Sequence, residues 1–144
     1  RSQRDKEALR SALENGIDAI CSDHRPHELD AKLAPFPATE PGISALETLL
    51  PLAFRLIKDG VISRTAAISL LTTAPAQILG INAGRLGIGD PADICIFDPE
   101  KEWICQPEKF ISRGKNSPFG GWAFQGKTSK TLVNGRIVFD ASNP

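Results

Sequence analysis

The sequence predicts an α/β fold, with helices and a buried strand in its first half and a small antiparallel β element in its second. Three observations carry this. A helix signal, a glycine and a short apolar run follow one another over residues 2–21, the order of one α-to-β step of a parallel sheet. Ile43, Leu46, Leu49, Leu50, Ala53, Phe54 and Ile57 repeat at helical spacing. Asn134-Gly135 stands between two apolar runs, the strongest short-range hairpin signal.

Each element has its own local warrant. Residues 2–15 read as a helix: Ser2 suits the N-cap, Asp5 and Glu7 lie in the favoured first turns, and Gly16 stands where a C′ glycine belongs. Leu9, Ala12 and Leu13 form its apolar stripe, and the run IDAIC after it has strand length. Residues 22–41 form a long loop rich in proline and charge, a length that marks a functional or disordered segment. The helix through 43–57 ends at Asp59-Gly60. Ser63 caps a second over about 64–71. Thr73 caps a third, with Pro75 in its first turn and Gly80 after it. A boundary falls near residues 81–84, where the texture turns glycine-rich and then β-rich. Strands are expected at Asp93–Phe97, Glu102–Ile104, Ser129–Val133 and Arg136–Phe139.

Composition bounds the function. The 144 residues suffice for one domain with a moderate core, and formal net charge is zero. No basic stripe points to nucleic acid, and no polybasic, amphipathic or long apolar segment points to a membrane. Cys21, Cys95 and Cys105 are odd in number and lack CxxC spacing, so buried thiols in a reducing, cytoplasmic setting are expected. The absence of any methionine, even at position 1, raises the expectation of a piece of a longer polypeptide. GRLGIGDPAD has no GxGxxG between a strand and a helix, so its glycines and Pro91 read as turns. Trp103 and Trp122 read as packing aromatics, and Lys115-Asn116 as a solvated turn.

Both histidines lie in one stretch, "CSDHRPHELDAKLAPFPATEPG", residues 21–42. Asp23 follows the predicted buried strand. In a (β/α) barrel the loop after each strand lies on the catalytic face. A carboxylate there can bind a metal and take a proton from a metal-bound water. His24 and His27 can donate hydrogen bonds, ligate metal or pair with a carboxylate, and Pro26 stiffens the turn between them. Pro41-Gly42 offers backbone for polar ligand contacts near a helix N-terminus. The plainer alternative has Asp23 capping the turn and the histidines solvated; the placement between strand and long loop favours a polar site.

"SDHRPH", "KLAPF" and "EPGISALETLLPL" together resemble the last barrel strand and following loop of the dihydroorotases, in the amidohydrolase superfamily. "LTTAPAQILGI", "GRLGIGDPADICIFDP", "KNSPFGG" and "TLVNGRIVF" resemble the segment after the barrel that builds the superfamily's small β domain. The resemblance covers nearly the whole chain. It implies the C-terminal part of a (β/α)8 barrel over 1–82, with catalytic-face loop 22–42, then strands of a small β-sandwich over 83–144. It implies zinc-dependent, reversible cyclisation of N-carbamoyl-L-aspartate to L-dihydroorotate, a step of pyrimidine synthesis.

Carried over by the same resemblance, Asp23 is the catalytic carboxylate, touching zinc and moving the proton to and from the amide nitrogen. His27 holds the substrate carboxylate, and Pro41 and Gly42 meet the pyrimidine ring through backbone. His24 has no firm role beyond support of these groups. Arg25 stands where a small residue is usual. The His-x-His pair, the further histidines and the carboxylated lysine of the family's metal centre are missing from these residues, so the chain alone is expected to be inactive. A second resemblance stays open: dihydroorotase-like chains that have lost their zinc ligands and serve as structural partners of aspartate carbamoyltransferase. A homo-oligomer is expected under either.

A lone barrel strand has two unpaired edges, and the helices beside it would expose apolar faces. These 144 residues in isolation are therefore expected to dimerise, exchange elements or aggregate. Sedimentation velocity checks this; a well-dispersed monomer would count strongly against it.

Overall fold

The computed structural model describes residues 2–143. Helix α1 spans Gln3–Ala12. Ser2 Oγ accepts from the Asp5 N–H at 3.1 Å while Asp5 Oδ2 accepts from the Ser2 N–H at 3.0 Å, a reciprocal capping box. The expected end at residue 15 is corrected: the helix stops at Ala12, and a turn follows in which the Gly16 N–H reaches Ala12 O at 2.7 Å. Of the predicted stripe, Leu13 is buried, Ala12 is half-buried and Leu9 is 55% exposed.

The run IDAIC is not a strand among the described residues. A strand is defined by its ladder, and this segment has none: the Ile20 N–H donates to Leu70 O at 2.9 Å, and a lone parallel bridge joins His24 to Ile43. Two 3-10 turns, Leu29–Lys32 and Phe36–Ala38, interrupt the long loop.

Helix α2 spans Leu46–Lys58, starting later than Ile43 for a local reason. Residues 43–45 commit their backbone groups to other loops. Ile43 O accepts from the Arg25 N–H at 2.9 Å, the Ser44 N–H donates to Asn116 O at 3.2 Å, and the Ala45 N–H donates to the His24 ring at 3.0 Å. Asp59 ends the helix, with Gly60 at φ +69°. Helix α3 spans Arg64–Leu71, and Ser63 Oγ accepts from the Ala66 N–H at 3.1 Å, as its sequence predicts. Helix α4 spans Thr73–Leu79, closed by left-handed Gly80. Thr73 is not its cap: it is the first helical residue, and its hydroxyl donates to Gly84 O at 2.9 Å.

A three-stranded antiparallel sheet follows, in the order β1 (Ile94–Ile104), β2 (Ala123–Val133), β3 (Arg136–Asp140). The two strands expected at Asp93–Phe97 and Glu102–Ile104 are one. The register skips between Asp98 and Glu102, where Pro99 has no N–H to give and the Glu100 N–H turns to Asp98 Oδ1. β2 begins well before Ser129. Gly126, at φ +93°, breaks its pattern in sequence, and a Cβ there would lie 3.5 Å from the Phe54 ring of α2. Asn134 at φ +48° and Gly135 at φ +76° make the expected hairpin turn.

Helix α2 is a wall shared by two apolar clusters. On one side Leu56 and Ile57 meet Leu13, Ile62, Ala67 and Leu70. On the other Leu52 meets Cys105, Phe110 and Phe124 of the second half. Phe54 packs edge-on to Phe97 at 5.4 Å, and the Arg55 guanidinium lies 5.1 Å from the Trp122 ring centre. Trp103 and Trp122 both pack against Phe124, as expected of packing aromatics, although Trp122 stays 43% exposed. The cysteine expectation holds for Cys105 alone; Cys21 and Cys95 are exposed. Burial, then the carboxylates of Glu108 and Glu47, pushes the Cys105 thiol up, which keeps it protonated and inert. No helix among the described residues is long and apolar enough to cross a membrane.

The roles of Ser63 and Thr73 are separable by mutation. Ser63→Ala is expected to cost about 1 kcal/mol, because it orphans a helix N–H. Thr73→Ala removes only an exposed hydroxyl bond and should cost less than half as much, as chemical denaturation would measure.

Candidate active site

The site is built from three pieces of irregular backbone: residues 22–28, residues 41–45 and a segment of the second half, 110–117. Asp23 has φ +41°, a left-handed conformation that non-glycine residues seldom adopt. Its side chain is 75% exposed and touches the Arg25 Nε at 3.4 Å, a loose ion pair. Aspartate is among the side chains that most readily take this conformation, and here it leaves the carboxylate at the surface.

His24 turns the other way. Its Nδ1 accepts from the N–H groups of Ala45 at 3.0 Å and Leu46 at 3.3 Å, satisfying donors at the start of α2. The proton therefore sits on Nε2, which lies 3.4 Å from Ser112 Oγ. His24 ties helix α2 and residue 112 to the Asp23 loop. The His27 imidazole is half-buried and reaches the Pro41 carbonyl through Nε2 at 3.3 Å.

Gly42 lies at φ +97° under the side chain of Arg25. A Cβ at Gly42 would stand 2.5 Å from Arg25 Cβ, so the residue must be glycine on two counts. The structure thus brings His27 to Pro41 and Arg25 to both Asp23 and Gly42. The carbonyls of Pro41 and Gly42 already face protein partners, His27 and Asn116. Each keeps a second lone pair for a ligand.

Sequence reasoning missed the residues that join the pieces. Asn116, expected in a solvated turn, is 8% exposed. Its Oδ1 accepts from the His27 N–H at 2.8 Å, and its Nδ2 donates to Arg25 O at 3.1 Å and Gly42 O at 3.4 Å. Glu47 of α2 accepts from the N–H of Ile111 at 2.7 Å and, less closely, from that of Ser112. Lys115 donates to Phe110 O within the same segment. An asparagine among prolines and glycines carries no local sign of burial; the partners of its side chain lie 74 to 91 residues away in sequence. The Ser44 hydroxyl beside it is buried with no partner among the described residues.

A zinc centre uses about three protein ligands. Among the described residues no three His, Cys, Asp or Glu side chains gather around a common point, so this donor set does not fit a zinc ion. Asp23 offers a single carboxylate.

The chain has counterparts among known proteins. Residues 1–138 match the amidohydrolase family, and the chain belongs to it. Among curated relatives, a dihydroorotase-like protein of Pseudomonas aeruginosa is 47% identical over 141 residues, 97% of this chain and 33% of that protein. A dihydroorotase of Syntrophotalea carbinolica is 42% identical over 144 residues, covering 99% of this chain and 34% of its own length. Among solved structures, the L-hydantoinase (dihydropyrimidinase) of Arthrobacter aurescens superposes with a TM-score of 0.88 at 30% identity, over 97% of this chain and 33% of that one. The chain thus spans about a third of the length of the relatives it matches.

The double constraint on Gly42 is testable by a mutant cycle. Gly42→Ala should cost about 2–4 kcal/mol, from a positive φ and from overlap with Arg25. Arg25→Gly in the same chain should recover the overlap part and leave the backbone part, as equilibrium unfolding of the single and double variants would read.

Proposed function

We propose that this chain is the C-terminal third of a dihydroorotase, its residues 17–21 forming the last strand of a (β/α)8 barrel and residues 83–144 contributing strands of the small β domain. The complete protein would open and close the ring of dihydroorotate, in the cytoplasm and as a homo-oligomer. In this reading zinc belongs to ligands outside these residues, with Asp23 at its edge. The observation that carries the proposal is Asp23 itself: the one non-glycine residue besides the hairpin's Asn134 with positive φ among the described residues, and one whose carboxylate is mostly exposed, with only a loose contact to Arg25.

What these residues do follows from their chemistry. In ring opening Asp23 takes the proton of the attacking water and delivers it to the amide nitrogen as the C–N bond breaks; in closure the proton travels back. His27 pairs its ring with the substrate carboxylate and anchors the charged end; with Nε2–H on the Pro41 carbonyl, this takes a second N–H at Nδ1, the imidazolium form. The 41–42 backbone meets the polar edge of the ring.

A second reading has a specific observation in its favour. Arg25 leans on Gly42 and touches Asp23, filling space and charge beside the carboxylate, and relatives include proteins named dihydroorotase-like. A non-catalytic partner of aspartate carbamoyltransferase would tolerate this.

Asp23→Asn in the complete polypeptide is the decisive variant, because asparagine accepts a left-handed backbone and so removes the proton chemistry without new strain. It should lower kcat by about 10³-fold, and His27→Ala should raise KM about tenfold. An Asp23→Asn protein that keeps its activity within threefold would overturn the assignment. A wild type that forms no dihydroorotate and co-elutes with aspartate carbamoyltransferase would establish the second reading.

A further inference from the structure

We propose that Asn116 is a positioning residue for the site: from the second half of the chain it fixes the register of His27 against residues 42–44, and thereby sets the affinity for the substrate carboxylate. This rests on the dihydroorotase reading of His27.

The geometry is complete at the amide. A primary amide has one acceptor oxygen and two N–H donors. Asn116 spends the oxygen on the His27 N–H and its donors on the carbonyls of Arg25 and Gly42, and its own backbone carbonyl takes the Ser44 N–H at 3.2 Å. One side chain thus spans both loops, buried from water, where an unmade bond is costly. Its segment is held on either side. Gly114 lies so close that a Cβ would fall 2.4 Å from Pro26 Cβ and 2.6 Å from the His27 nitrogen. Upstream, Glu47 fastens Ile111 and Ser112 to α2.

The contacts also say which kinetic constant should respond. Asn116 grips Arg25, His27 and Gly42, the binding side of the site, and makes no bond to Asp23. Loosening it should weaken binding while leaving proton transfer largely intact. Aspartate at 116 would not substitute: it keeps the acceptor for His27 but turns a carboxylate oxygen toward two carbonyl oxygens.

The test is Asn116→Ala and Asn116→Asp in the complete polypeptide, read by steady-state kinetics with N-carbamoyl-L-aspartate and by hydrogen exchange. Both variants should raise KM about tenfold or more with kcat within about threefold, the split expected for lost uniform binding. The His27 and Ser44 amides should exchange at least about tenfold faster, while strand β2 keeps its protection. Unchanged exchange at these two amides overturns the proposal, as does a fall in kcat with KM unaltered. Should neither variant fold, Glu47→Gln loosens the upstream anchor and must raise KM by about two- to fivefold for the proposal to stand. If the wild type turns nothing over, the dihydroorotase reading falls, and the exchange result alone decides whether Asn116 holds the loops.

Discussion

Irregular backbone must find hydrogen-bond partners outside any ladder or helix, and this constraint governs the site. Residues 22–28 and 41–45 share a single bridge, His24 with Ile43. Several of their other polar groups are met by side chains and by a distant loop: His24 serves the start of α2, Asn116 serves residues 25, 27 and 42, and its carbonyl serves residue 44. Remove that service and the loops have water as their alternative, with no reason to hold His27 near Pro41 or Arg25 over Gly42. The position of each site residue is therefore a consequence of polar satisfaction more than of apolar packing.

Within that frame, backbone strain is placed where side chains must be aimed. Asp23 takes a left-handed turn that sends its carboxylate to solvent while the next residue, His24, points inward to cap α2. Gly42 performs the matching reversal on the second loop, and its missing side chain is the space into which Arg25 folds. The Arg25 position thus follows from Gly42, and its reach to Asp23 follows from both.

Much of this was legible in sequence, and the dividing line is physical. Ser2, Ser63, Gly60, Gly80 and Asn134-Gly135 act through partners within a few residues, so local chemistry identifies them. The Asp23–His27 cluster was visible because reactive residue types were concentrated in one loop. Strand IDAIC failed because a strand's identity lies in neighbours that these residues do not supply. β1 was read as two pieces because Pro99 and the bulge hide a continuous pairing with β2, and β2 was cut short by Gly126, whose meaning is the Phe54 ring it lies beside. Asn116 was unreadable for the strongest form of this reason: its side-chain hydrogen-bond partners are residues 25, 27 and 42, far away in sequence.

The same dependence argues that the second half is part of the site's machinery. Helix α2 buries Leu52 against Phe124 and Cys105, and its first turn holds Ile111 through Glu47, so the 110–117 segment has its position fixed by the helix that begins at the site. An unsatisfied buried polar group costs about 1–3 kcal/mol, against a total stability of about 5–15 kcal/mol for a domain. Asn116 satisfies three such groups with one side chain. The site's loops thus take these three hydrogen bonds from the sheet-bearing half of the chain. The change from helical to β texture near residue 82 marks a change of architecture, and the hydrogen bonds that define the site run across it.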